Sequence, residues 1–281
     1  MTGAVLITGC SSGYGEAAAK LFALRGWNVI ATMRNPDHGR KLTDLKNILV
    51  VRLDVQDRDS IDKAITQAIR HFGRIDAVVN NAGYGLFSPF EPSSRDAIQK
   101  QFDVNVFGAM DVIRSILPHF RTNRSGTIIN ISSGAGVFGA PMASIYCASK
   151  FALEGFSESL AYELADLGIA VKLIEPGGAP GTGFMTRSKA ETGGLPIPDD
   201  YNVFMAHAAQ IYGAFATNSD SDAIKRVAEA IFAAATDGTG QLRYMPNDDI
   251  RALLTARRES SEQEFIALMR GFFLPRPSSN A

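Results

Sequence analysis

Cysteine and tryptophan are scarce in this chain, and neither sign of charge is in excess: its 281 residues hold two cysteines, one tryptophan and a formal net charge of -1. Two lone cysteines, Cys10 and Cys147, exclude a disulfide framework and a cysteine-based zinc site, so both are expected to be small packing residues and no metal is expected. The near-neutral balance lacks the basic field that phosphate-backbone binding requires, which argues against a nucleic-acid partner and for a small neutral molecule. No apolar run reaches the ~18 residues of a membrane span, and the first strand-like run starts too early for a signal peptide. A cytoplasmic protein without a membrane span is expected.

What is present suits one large core. With 46% hydrophobic and 20% charged residues, a second full domain would be crowded. The expected division is one domain over 1–246, with a lid segment at 182–219, and a helical extension over 247–281. Strand-like runs near Ala4, Asn28, Ile48, Ile75, Gly126, Ile169 and Leu242 alternate with helical patterns near Tyr14, Gly39, Arg58, Arg95 and Ile145. That βαβ rhythm predicts an α/β, doubly wound, mostly parallel seven-stranded sheet with helices on both faces.

The first unit carries a phosphate-binding pattern. Ala4 to Thr8 is followed by Gly9-Cys10-Ser11-Ser12-Gly13-Tyr14-Gly15 and then by Ala17, Ala18, Leu21 and Phe22 at helical spacing. Gly9 permits a tight turn, Gly13 and Gly15 let backbone approach a pyrophosphate, and free amides at the helix start bind its charge. A second strand over Asn28 to Met33 ends at Arg34, where a carboxylate would bind an adenosine ribose and a base would meet an extra 2′-phosphate. NADP(H) is therefore expected over NAD(H), with Ser11, Ser12 or Lys41 as candidates to share the contact.

Tyr146 and Lys150 stand four apart in Tyr146-Cys147-Ala148-Ser149-Lys150, and Ser133 lies thirteen residues upstream of the tyrosine. On a helix, positions four apart share one face, so phenol and ammonium project side by side. Bringing a tyrosine from ~10 to roughly 7 takes ~4 kcal/mol, and an ammonium about 5 Å away at an effective dielectric of ~20 supplies roughly 3 kcal/mol. A phenol drawn toward neutrality is expected, with an oxidised nicotinamide supplying the remainder.

These motifs, in this order, resemble the short-chain dehydrogenase/reductase family in its common single-domain form. Thr8-Gly9 through Gly15 matches its cofactor loop, Asp54-Val55 its adenine contact, Asn80-Asn81-Ala82-Gly83 the turn after its fourth strand, and Pro176-Gly177 its nicotinamide-side motif. Asn105, Ser133, Tyr146 and Lys150 fall on its catalytic tetrad, and the wording around Tyr146 and Arg34 is closest to its 17β-hydroxysteroid and retinol dehydrogenase branch. The family's threonine after Pro-Gly is displaced by one residue, to Thr182.

The resemblance implies roles. Tyr146 exchanges a proton with a carbonyl or alcohol oxygen, Ser133 hydrogen-bonds that oxygen, and Lys150 holds the phenol's pKa down and binds nicotinamide ribose hydroxyls. Ser132, the rival to Ser133, would point the other way on a strand. Asn105 has the place where the family anchors a relay water; a kink in the helix toward Phe120 is its structural alternative. The implied cofactor residues are Gly9, Ser11, Ser12, Gly13, Tyr14, Gly15, Arg34, Asp54, Val55, Asn81, Ala82, Gly83, Tyr146, Lys150, Pro176, Gly177 and Thr182.

Substrate preference is expected from the less regular parts: Tyr84, Val137 to Met142, and the lid with Phe204, Met205, Ile211, Tyr212 and Phe215. The amphipathic tail, with Leu253, Leu254, Phe265 and Met269 at helical spacing, is expected to dock on the pocket, a neighbouring subunit or its own core. A homodimer or homotetramer is a family expectation. Phe107, Met110, Ile113 and Leu117 on one helix, and Ala148, Ala152 and Gly155 on the next, offer pairing faces. The reading is an oxidoreductase for an apolar ketone, aldehyde or alcohol, with an NAD(H)-linked dehydrogenase or a catalytically silent dinucleotide sensor as alternatives.

Overall fold

A computed structural model describes residues 3–178, 183–217 and 222–274. Seven strands, β1 (Ala4–Ile7), β2 (Asn28–Met33), β3 (Ile48–Arg52), β4 (Ala77–Asn80), β5 (Gly126–Ile131), β6 (Ile169–Ile174) and β7 (Arg243–Tyr244), form one sheet. Their order is β3-β2-β1-β4-β5-β6-β7, and every neighbouring pair is parallel.

A parallel sheet covered on both faces needs strands that are apolar on both sides. In β1, Ala4 and Leu6 face one layer, packed with α2 (Arg58–Phe72), α4 (Gly108–Asn123) and α5 (Ser144–Leu164). Val5 and Ile7 face the other, against α1 (Gly13–Leu24) and α8 (Ala223–Thr236). The helices start where donors are satisfied. Asp57 accepts from the Ser60 N–H at the head of α2, and Ser94 does the same for α3 (Arg95–Phe102).

Two helical expectations change. The stretch around Gly39 is a 3₁₀ turn, Pro36–Leu42, and a Cβ on Gly39 would stand 2.8 Å from Met33 Cε. Between α3 and α4 the chain makes a π-helical turn, Asp103–Phe107. Asn105 sits inside it and turns its amide onto the Tyr84 backbone, so the run from Arg95 to Asn123 is interrupted at the residue for which a kink was the structural alternative.

The chain after β6 supplies α6 (Phe184–Thr192) and α7 (Asn202–Thr217), and after β7 come α9 (Arg251–Glu259) and α10 (Glu262–Phe273). A capping box at Ser261 and Glu264 separates the last two. Leu253, Leu254, Phe265, Met269 and Phe273 pack with Phe138 and with Ala208 of α7 in a third apolar cluster. Among the described residues no helix is long and apolar enough to cross a membrane.

Candidate active site

The carboxyl ends of β1, β2, β4, β5 and β6 open into one cavity of about 770 Å³. The β1–α1 loop is knitted to the turn after β4. Asn81 Nδ2 donates to the Thr8 carbonyl at 2.7 Å, and Thr8 Oγ1 accepts from the Asn81 and Ala82 amides, both at 3.0 Å. Gly9 and Gly13 have φ of 73° and 61°, the left-handed region that glycine enters without strain. Gly15 is not on the cavity wall. A Cβ there would lie 2.5 Å from both Asn81 Nδ2 and the Gly9 carbonyl, so this glycine serves loop packing, a correction to its expected approach to pyrophosphate.

Ser11, Ser12, Arg34, Asp54 and Val55 line one end of the cavity. Arg34 is exposed and has no ion pair or hydrogen bond among the described residues; Asp54 Oδ1 is taken by the Gln56 amide at 3.1 Å. Lys41 is not on the wall.

At the other end lie Asn81, Ala82, Gly83, Ser133, Tyr146, Lys150, Pro176 and Gly177. Tyr146 and Lys150 are 7% and 6% exposed, both on α5. Lys150 Nζ donates to the Ile131 carbonyl at 2.8 Å and stands 5.7 Å from the centroid of the Tyr146 ring. Phe87 and Phe184 flank that ring, with centroids 5.5 and 5.7 Å away. Ser133 Oγ accepts from the Ala135 amide at 3.2 Å and hydrogen-bonds with the phenol. Ser132 instead buries its hydroxyl beneath Gly136, where an added Cβ would meet it at 2.7 Å.

The electrostatics differ from the sequence expectation. Burial pushes the Tyr146 phenol up to about 12, against a hydrogen bond with Ser133 that lowers it. Burial also pulls the Lys150 ammonium down to about 8, against the raising effect of Glu154. Desolvation is the largest cause for both groups, so the protein's own residues do not hold the phenol near neutrality.

Three other expectations move. Tyr84 is fully buried in the core rather than facing substrate, with Arg187 of α6 stacked 4.2 Å from its ring centroid. Phe87, three residues on, takes the cavity wall in its place. Val137 packs toward the third apolar cluster, and its neighbour Phe138 lines the cavity. Asn105, 2% exposed, gives its amide to the Tyr84 carbonyl and Ser149 Oγ at 2.8 and 3.1 Å, and is not on the wall. Met142 does line it, with a φ of 60° that few non-glycine residues adopt. Thr182 lies outside the described residues.

The closing wall was only partly legible in local sequence. Met205 and Tyr212 of the lid, expected there, are joined by Phe184, Ile250, Leu253 and Phe273. Of the three places open to the tail, it takes the cavity and its own core. Tyr212 spends its hydroxyl on the Pro141 carbonyl at 2.7 Å, which leaves an almost entirely apolar surface toward Tyr146. Both cysteines are buried and free, and the described residues contain no cluster able to hold a metal.

The cavity suits a dinucleotide on its own features. Two positive-φ glycines stand under one end with Arg34, unpaired among the described residues, beside them, and Tyr14, which also lines the cavity, has a buried hydroxyl with no partner among the described residues. Such a group, when bound, would supply or take up hydride beside Tyr146.

Comparison with known proteins agrees. The family model described as short chain dehydrogenase matches residues 3–192. An uncharacterized oxidoreductase of Schizosaccharomyces pombe is 37% identical over 239 residues, 85% of this chain and 98% of its own length. Human 17-beta-hydroxysteroid dehydrogenase type 1 is 33% identical over 270 residues, 90% of this chain and 80% of its own. The crystal structure of a short-chain dehydrogenase from Streptomyces avermitilis superposes with a TM-score of 0.80 at 29% identity, covering 96% of this chain and 99% of that one.

Proposed function

For a chain that belongs to the short-chain dehydrogenase family, and is therefore an oxidoreductase working by dinucleotide-dependent hydride transfer, we propose an NADP(H)-linked enzyme that interconverts an apolar ketone or aldehyde and its alcohol. The observation that carries this reading is one continuous cavity with the unpaired Arg34 at one end and Tyr146, Ser133 and Lys150 under an apolar wall at the other.

In the reducing direction Tyr146 Oη gives its proton to the carbonyl oxygen, and Ser133 Oγ hydrogen-bonds the same oxygen as charge develops. The Lys150 ammonium, fixed on the Ile131 carbonyl, keeps two N–H donors for nicotinamide ribose hydroxyls and favours the phenolate that proton transfer leaves behind. Asn105 acts at one remove by fixing the Tyr84 backbone against α5. Phe87, Phe184 and the tail exclude water, which strengthens each of these interactions. Among the described cations on the wall, Arg187 is stacked on Tyr84 and paired with Glu191, and Phe87, Phe138, Phe184, Met205, Leu253 and Phe273 make the rest of the surface near Tyr146 apolar, which favours a hydrophobic substrate.

A homodimer fits the outer faces of α4 and α5. Phe107, at the end of the π-helical turn before α4, and Phe151 of α5 are 47% and 43% exposed, and nothing lies within 4 Å of an added Cβ at Gly155, whereas Ile113 of the expected stripe is buried in the chain's own core.

The testing experiment is oxidation of NADPH and NADH against a panel of apolar ketones and aldehydes, with Tyr146→Phe as control. Tyrosine-dependent NADPH turnover is expected. Tight cofactor binding with no turnover on any member would favour the silent sensor.

A further inference from the structure

We propose that Asp249, in the segment leading into α9, is the anion that meets the nicotinamide end of the cofactor and biases the enzyme toward the oxidised, positively charged form. The inference rests on the dinucleotide reading above and adds a group from the C-terminal extension to it.

Asp249 lines the same cavity as Tyr14, Tyr146 and Gly177. Its carboxylate is held by backbone alone: Oδ2 accepts from the Gly178 N–H at 2.8 Å and Oδ1 from the Ile250 N–H at 3.1 Å. It rests directly on the turn after Pro176, since a Cβ on Gly177 would collide with Oδ1. That turn is pinned on both sides. Asn247 Oδ1 accepts from the Gly177 amide at 3.2 Å, and Arg258 grips Glu175 at 2.6 and 2.8 Å. The carboxylate is thus placed by several independent contacts.

Its charge, by contrast, is unanswered. Asp248 next to it pairs with Arg251 and Arg226, whereas Asp249 has no lysine, arginine or histidine partner among the described residues. Tyr14 adds a second incomplete group. Its hydroxyl is buried with no hydrogen-bond partner there, and it lies within electrostatic reach of both Asp249 and Tyr146. An unpaired carboxylate and an orphaned hydroxyl therefore frame one space beside the phenol. Buried polar groups are normally satisfied, so the Tyr14 hydroxyl points to a ligand, and the half-buried carboxylate, hydrogen-bonded but without a counter-charge among the described residues, says what charge that ligand would carry.

A pyridinium carboxamide answers both. Its N–H groups can serve the carboxylate in either redox state, but only the oxidised ring carries the positive charge that a carboxylate attracts in a partly desolvated site. Asp249 should therefore favour the oxidised cofactor over the reduced one, and the Tyr14 hydroxyl, being neutral, should favour neither.

The test is calorimetric titration of the full chain, without substrate, with NADP+, NADPH, NAD+ and NADH. The wild type is compared with Asp249→Asn, which keeps an oxygen acceptor for the Gly178 N–H while removing the charge. Asp249→Ser gives the same reading should the amide disturb the turn. The expected result is a Kd for the oxidised form raised about tenfold, or ~1.4 kcal/mol, with the reduced form changed by less than about twofold. Tyr14→Phe should weaken both forms alike. Equal weakening of both forms in Asp249→Asn would mean that the carboxylate only caps the loop, and no change in either would mean that it faces no cofactor; both overturn the proposal. A wild-type chain that binds none of the four dinucleotides would overturn the cofactor reading itself, a result distinct from an unmoved ratio.

Discussion

The Lys150 ammonium stands 5.7 Å from the centroid of the Tyr146 ring and is held there by a 2.8 Å hydrogen bond to the carbonyl of Ile131, the last residue of β5. Strand end and helix thus fix one distance between them. Because both side chains are buried, the phenol is pushed up to about 12 and the ammonium down to about 8.

Tyr146→Phe removes the proton donor and leaves the ring packed between Phe87 and Phe184. Turnover is expected to fall by on the order of 10²–10⁴, while Kd for the cofactor stays within about twofold. Wild-type rates in this variant would falsify the proton-transfer role.

The pH dependence follows from the two shifts. The phenol, at about 12, keeps its proton across the working range, whereas the ammonium loses its own as pH rises through about 8. kcat/KM for cofactor in the reducing direction, which reports the free enzyme, should hold level below about 7 and decline above about 8. A profile flat to about pH 10 would show that the Lys150 charge does not enter the rate.

Arg34→Asp puts a carboxylate where an adenosine ribose would be bound and an extra phosphate repelled. The ratio of kcat/KM for NADPH to that for NADH should drop at least about tenfold, a loss of ~1.4 kcal/mol of discrimination. An unchanged ratio would take Arg34 out of the phosphate site.

Arg258 of α9 grips Glu175, which is 0% exposed, while Arg243 stands 3.4 Å from the same carboxylate. Arg258→Met strands part of a buried charge, and about 3 kcal/mol of stability should be lost. Urea unfolding measures it. Glu175→Gln in the same chain should restore part of the loss, since no full charge then remains to be paired; failure to recover anything would locate the effect in packing.

Much of this was written locally. The run Ala4 to Ile7 is apolar at every position because both its faces are covered, and the four-residue step from Tyr146 to Lys150 is one helical turn. Ser133 is preferred to Ser132 on its thirteen-residue spacing to Tyr146 and on strand alternation, and of the two hydroxyls that of Ser132 is the one buried without a hydrogen-bond partner among the described residues. The cavity wall was less legible. Tyr84 and Val137 are as near the motifs as Phe87 and Phe138, and nothing in their side chains marks them for the core. Only the backbone path, pinned by Asn105 at Tyr84 and by the 3₁₀ turn Gly134–Gly136 before Val137, sends one of each pair to the core and the other to the cavity.

The sequence alone determined the strand order along the chain, the glycine turn, the basic residue at the β2 tip and the Ser133, Tyr146 and Lys150 set, because each depends on spacing over one or two elements. Tertiary structure decided the rest. It brought Asp249, Leu253 and Phe273 over the cavity and set the desolvation that raises the Tyr146 phenol and lowers the Lys150 ammonium. Both effects arise from contacts between residues far apart in sequence, and periodicity, which fixes which face of an element is apolar, does not specify what that face will meet.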